Sequence, residues 1–202
     1  MGNEQSTVSR DAKLLYDKAL ISQEKNDDRK ALSYCYQARN LIRSINGNNQ
    51  DIDRLQYSIT LNMCNIYERQ YELTMANLLI SETLEIAHKL QQQDKIAQCL
   101  DTQGKIKRLQ GDYDGAILDH NKSIKIKLKL HGNEGLDVCI SYSKIANVYC
   151  DQGKYDDAVR MYEKSLKIQL SALADNHPSI AQTYHPNVSQ HGKCLSTLRQ
   201  IC

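Results

Sequence analysis

The stretch that decides the fold is QGKYDDAVRMYEKSLKIQ, residues 152–169, because the chain has already said nearly the same thing at residues 110–127, QGDYDGAILDHNKSIKIK. Aligned without a gap, the two share Gln, Gly, Tyr, Asp, Ala, Lys, Ser, Lys and Ile, nine identities in eighteen positions. Unrelated sequences of ordinary composition would share roughly one. Fixed-offset self-similarity marks a repeat architecture and bounds every later inference.

The unit extends beyond the phrase. Its first half carries Tyr142, Ile145, Ala146 and Tyr149, and its second half Ala158, Tyr162 and Ser165. Upstream, Leu100, Gly104, Tyr113, Ala116 and Ser123 fill the same slots. Before them come Met63, Cys64, Tyr67, Ala76, Ile80 and Thr83, and earliest Leu15, Ala19, Ala31, Cys35 and Ala38. Small residues run Ala19, Cys64, Gly104, Ala146 in one series and Ala31, Ala76, Ala116, Ala158 in the other, both spaced 45, 40 and 42. Whole helix pairs therefore repeat: small residues let two helices approach closely, and aromatics fill the space between pairs. The run KSIKIKLKL (122–130) alternates charged and apolar residues as a strand does. Its aligned partner sits in a segment with helical spacing, so both are read as helix.

These residues resemble the tetratricopeptide repeat, whose first helix carries W-x2-L-G-x2-Y and whose second carries A-x3-F. The period and the loop LADNHPSIAQTY (173–184) are similar to the long-period, kinesin-light-chain-like branch, and LHGNEGLDVCISY (130–142) is a weaker version of that loop. The resemblance covers about residues 10–185. It implies an all-α, right-handed superhelical solenoid of about four antiparallel helix pairs. The expected organisation is a flexible leader (1–10), repeats at about 11–45, 52–90, 93–130 and 136–172, a partial fifth repeat (173–185) and an irregular tail (186–202). Pro186 should stop the fifth helix near Tyr184, since proline inside a helix costs ~3 kcal/mol.

Composition narrows function. A chain of 202 residues has a net charge of +2, which makes no strong field for nucleic acid or an acidic membrane. Phe and Trp are absent, and twelve Tyr supply the aromatic bulk. Pro178 and Pro186 are the two prolines, so the first 177 residues suit helices joined by short turns. Seven scattered cysteines, with no apolar signal sequence and no membrane-length apolar run, point to reduced thiols in a cytoplasmic protein. Residues 93–130 hold eight Lys or Arg against five Asp, without the interleaved aromatics of a nucleic-acid platform. No phosphate loop, nucleophile elbow or H-E-x-x-H motif occurs. His120 stands in an aromatic slot and is read as a packed core histidine. His177, His185, His191, Cys194 and Cys202 lack two independent close pairs, so no metal and no cofactor is expected.

The resemblance also implies that peptides or partner helices bind on the concave face lined by the first helices. Helical spacing places there Lys13, Tyr16 and Leu20; Asn62, Asn65 and Arg69; Asp101, Lys105 and Arg108; and Ser143, Asn147 and Asp151. Asn pairs with a peptide backbone, and Lys or Arg with an acidic residue of the ligand. The slots Tyr16, Leu20, Leu61, Asn65, Asp101 and Lys105 do not make the basic carboxylate clamp of the family's chaperone-binding members. MGNEQS fits M-G-x-x-x-[ST], which makes Gly2 a candidate for N-myristoylation. One such chain gives weak, reversible membrane contact. The leading expectation is a non-catalytic adaptor that binds other proteins, such as acidic peptide segments, and not nucleic acid. The alternatives are a membrane-peripheral scaffold anchored at Gly2 and a self-associating unit that stacks through its uncapped last repeat.

Overall fold

The computed structural model describes residues 2–45, 49–132 and 135–172. The fifth-repeat, tail and histidine-cluster expectations fall on residues outside these ranges. Eight helices occupy the described residues, and no strand does. They divide into two compact units, Met1–Gln92 and Gln93–Cys202.

In the first unit α1 (Gly2–Glu24) and α2 (Asp28–Arg43) form one hairpin, and α3 (Gln50–Arg69) and α4 (Leu73–Lys89) the next. In the second, α5 (Gln93–Leu109) pairs with α6 (Tyr113–His131), and α7 (Leu136–Asp151) with α8 (Tyr155–Ala172). Helix α6 runs unbroken through the alternating KSIKIKLKL stretch, because its apolar residues also meet a 3.6-residue period. Ile124 is buried, with Ile117 and Leu128 packed around the same cluster. Helix α1 begins at Gly2 and not at residue 11, so the leader expected to be flexible is helical. Nothing in GNEQSTVSR breaks a helix beyond its first glycine.

The small-residue slots do what their spacing implies. Ala19, Cys64 and Ala146 in the first helices, and Ala31, Ala76, Ala116 and Ala158 in the second, are all fully buried. Hydroxyls stitch the hairpins of the second unit at equivalent positions: Ser123 Oγ donates to Ala97 O (2.9 Å) and Ser165 Oγ to Cys139 O (2.8 Å). In the first unit Ile59, Met63, Ile66, Leu79 and Ile80 fill the interior.

The turns inside the four hairpins share one geometry. Asn26, Tyr71, Gly111 and Gly153 stand at the repeat spacing and all have positive φ, 56°, 59°, 82° and 73°. The following residue closes the helix end each time: Asp27 N, Glu72 N, Asp112 N and Lys154 N donate to Ser22 O, Tyr67 O, Lys107 O and Tyr149 O, each at 2.9 Å. This is the glycine-type helix stop, in which an αL residue lets two orphan carbonyls find donors. Asp27 and Asp112 also cap the next helix, accepting from Lys30 N (3.1 Å) and Gly115 N (3.0 Å). The backbone is the same in all four turns, yet two contain glycine and one a tyrosine that is 74% exposed. A left-handed backbone costs an L-residue roughly 1–2 kcal/mol. Tyr71→Gly should therefore stabilise the protein by about 1 kcal/mol and Gly153→Ala destabilise it by a similar amount, read as opposite shifts of the urea midpoint.

Candidate functional site

In the first unit, α1 and α3 lie side by side, and the residues expected on the binding face bridge them. The Tyr16 hydroxyl donates to Ser58 O (3.3 Å), and Asn62 Nδ2 donates to Gln23 Oε1 (2.7 Å). Burial pushes the Tyr16 phenol above its usual pKa, and the neighbouring Asn62 amide partly offsets the rise. Asn62 Oδ1 is buried and accepts no hydrogen bond. Arg69 reaches back to Asp28 at the start of α2 (2.7 Å). Lys13 and Leu20 are exposed and Asn65 is half-buried. Gly2 opens α1.

In the second unit the corresponding neighbours are α5 and α7. Arg108 of α5 forms an ion pair with Asp151 of α7, both partly sheltered. Asn147 Oδ1 accepts from the Tyr162 hydroxyl (2.6 Å), and Ser143 Oγ lies 2.9 Å from Ser165 Oγ. These contacts tie α7 to α8, so Ser143 and Asn147 serve the hairpin as well as the face. Lys105 is exposed.

Asp101 is a correction. Expected on the exposed face, it is only 3% exposed and anchors a polar network joining α5, α6 and α7. Its Oδ1 lies 3.1 Å from His120 Nδ1. Its Oδ2 accepts from Lys127 Nζ (2.6 Å) and from Ser141 Oγ (3.0 Å), and Lys144 Nζ stands 3.2 Å away. Lys127 also donates to Ser141 Oγ (2.8 Å) and to Asp137 O (3.2 Å). Burial alone would raise the Asp101 pKa. The His120 hydrogen bond and the Lys144 and Lys127 charges outweigh it and hold the carboxyl below the usual range. Burial pushes the Lys144 ammonium down, and Asp101 pulls it part of the way back.

The signal for this network was present as two departures from the repeat. The slots matching Asp101 hold Tyr16, Leu61 and Ser143, and those matching His120 hold Cys35, Ile80 and Tyr162. One repeat thus puts polar residues in two slots at once, and the two are partners. His120 does pack in the core, 1% exposed, with its ring over Gly104.

The set Asp101, His120 and Ser141 has the residue types of a hydrolytic triad but not its wiring. Ser141 donates to Asp101 and not to His120, and Ser141, His120 and Asp101 are 0%, 1% and 3% exposed. A nucleophile must face its base and reach a substrate, and here neither condition holds. No group of three metal-ligating side chains occurs among the described residues. Cys35, Cys64, Cys99, Cys139 and Cys150 are buried thiols, and burial pushes the Cys35 thiol up to about 12. No helix among the described residues is long and apolar enough to cross a membrane.

Residues 137–185 match the family model described as tetratricopeptide repeat. The match takes in α7 and α8, about a quarter of the chain. The all-α solenoid fold is shared with solved structures over almost the whole sequence. BtubC (BKLC) from P. vanneervenii superposes with a TM-score of 0.71 at 17% identity, over 99% of this chain and 90% of that one. A putative kinesin light chain from Podosopora anserina with nearly identical TPR-like repeats gives 0.68 at 17% identity, over 96% and 95%. A Rap protein complexed with competence and sporulation factor gives 0.68 at 16% identity, over 96% of this chain and 56% of that one. The chain thus spans only about half of the Rap protein. No curated protein sequence matches it.

Proposed function

We propose that this tetratricopeptide protein is a non-catalytic adaptor whose first helices bind peptide or helical segments of other proteins. One observation carries the reading. In each unit the first helices of successive hairpins lie side by side, and their shared surface offers polar groups over a rigid base. Lys13 and Lys105 stand exposed on these surfaces, and Asn65 is half-buried on that of the first unit. A peptide backbone supplies N–H donors and an acidic side chain pairs with lysine, so this surface suits an extended, acidic segment. The solved Rap complex, with the same fold and a bound factor, supports the reading by analogy.

The test is affinity capture from lysate by wild type beside the combined change Lys13→Ala, Asn65→Ala, Lys105→Ala. Asn147 is left alone because its loss would strand the Tyr162 hydroxyl. The expected result is a partner held by wild type, lost in the variant, with helical circular dichroism unchanged. Capture of the same proteins by both forms would place binding elsewhere.

A further inference from the structure

On the α1–α2 hairpin lies a cleft of about 570 Å³ that the face described above does not use. Lys18 and Ile21 of α1 line it from one side, and Lys30 and Tyr34 of α2 from the other, with Lys25 and Asp27 in the turn between them. Ile21 is 51% exposed, a large apolar surface left open beside water. Three ammonium groups face one carboxylate, and that carboxylate is already spent on Lys30, at 2.9 Å. Among the described residues neither Lys18 nor Lys25 has an ion-pair partner, so two cations flank an apolar floor unanswered.

Spacing gives the ligand its shape. Lys18 of α1 and Lys25, the first turn residue after that helix, are seven positions apart, roughly 10 Å at the helical rise, with Ile21 between them. A helix with acids at i and i+7 and an apolar residue at i+3 or i+4 presents the complementary row. A second copy on a two-fold axis would instead set these lysines against themselves, which opposes association. We infer that this cleft docks an acidic amphipathic helix of a partner protein, its two carboxylates on Lys18 and Lys25 and its apolar side chain on Ile21 and Tyr34.

The inference goes beyond the first-helix face and can fail without it. The probe is a fluorescein-labelled synthetic helix with Glu at i and i+7 and Leu at i+3 and i+4, followed by fluorescence anisotropy. The control peptide carries Lys for Glu. Wild type should bind the acidic peptide and not the basic one. The change Lys18→Glu/Lys25→Glu should weaken binding at least tenfold, while Lys13→Ala/Asn65→Ala leaves it unchanged. Should the charge-reversed chain not fold by circular dichroism, Lys18→Gln/Lys25→Gln replaces it with the same expectation. Equal affinity for both peptides, or undiminished binding by the lysine variants, would overturn the proposal. Displacement of the peptide by inorganic pyrophosphate at a similar concentration would reduce the cleft to a simple anion site and overturn it too. So would wild-type self-association that the lysine changes abolish, since the occupant would then be a second copy.

Discussion

Asp101→Asn should destabilise the protein by about 3–5 kcal/mol at pH 7, a large share of the ~5–15 kcal/mol that holds a typical domain. The change keeps the shape and removes the charge. Asp101 is 3% exposed, with Lys127 Nζ at 2.6 Å and Lys144 Nζ at 3.2 Å on one oxygen and His120 Nδ1 at 3.1 Å from the other. An amide there leaves two ammonium groups close together without a counter-charge. It also supplies a donor, at best, where an acceptor was needed. Lys127 is the more exacting neighbour, since its side chain is 12% exposed and cannot turn to water cheaply.

The same network sets a pH dependence. The folded-state pKa of Asp101 lies below its unfolded value of ~3.9, so its contribution is fully present above that pH. It is lost as pH falls below about 4 toward the folded-state pKa. Urea melts of wild type should therefore weaken on acidification below pH 4, and the gap between wild type and Asp101→Asn should narrow over that range. A gap under ~1 kcal/mol at pH 7 would mean that the lysines find water in the folded chain, and that the carboxylate is not their anchor.

Gly104→Ala should also destabilise, by about 1–3 kcal/mol, although alanine is the better helix former by about 1 kcal/mol. A Cβ at Gly104 would stand 2.8 Å from His120 Cε1, 2.9 Å from Nε2 and 3.0 Å from Nδ1. The ring cannot step aside, because it is 1% exposed and its Nδ1 faces Asp101. The equivalent slot holds Ala146 opposite Tyr162, where the added methyl is already accommodated in a fully buried position. The same chemical change is thus harmful in one repeat and native in another, and His120 decides which. Urea midpoints of Gly104→Ala, His120→Ala and the double variant should show strong coupling, the double costing well under the sum of the singles. Additive losses would mean that the clash is relieved by backbone movement.

Much of the fold was legible in the sequence because repeats state each structural demand several times. The paired small slots at Ala19/Ala31, Cys64/Ala76, Gly104/Ala116 and Ala146/Ala158 fixed which helices touch and where. The Gln-Gly-x-Tyr phrase marked two of the four hairpin turns, Gly111 and Gly153. The other two use Asn26 and Tyr71 for the same backbone, and a tyrosine gives no hint of a left-handed turn. The candidate face was legible as geometry and less so as chemistry. Helical spacing puts Asp101 near the same face as Gly104, three residues on, but does not say that Lys127, Ser141 and Lys144, from other helices, close over it. Arg108 and Asp151 lie 43 residues apart and read as two ligand-facing charges until α5 and α7 are set side by side. The helical start at Gly2 was missed because polar residues without apolar periodicity look like a leader, although nothing in them opposes a helix.

The measurement that bears most directly on the adaptor reading is a lysine-reactivity footprint of the captured complex against the free protein. Lys13 and Lys105 lie on the proposed binding face, whereas Lys122, Lys125 and Lys129 are exposed on the second helix α6. The account predicts that partner binding lowers acylation at Lys13 or Lys105 and leaves the three α6 lysines as reactive as before. Protection confined to Lys122, Lys125 and Lys129, with Lys13 and Lys105 unchanged, would contradict it and move the working surface to the second helices.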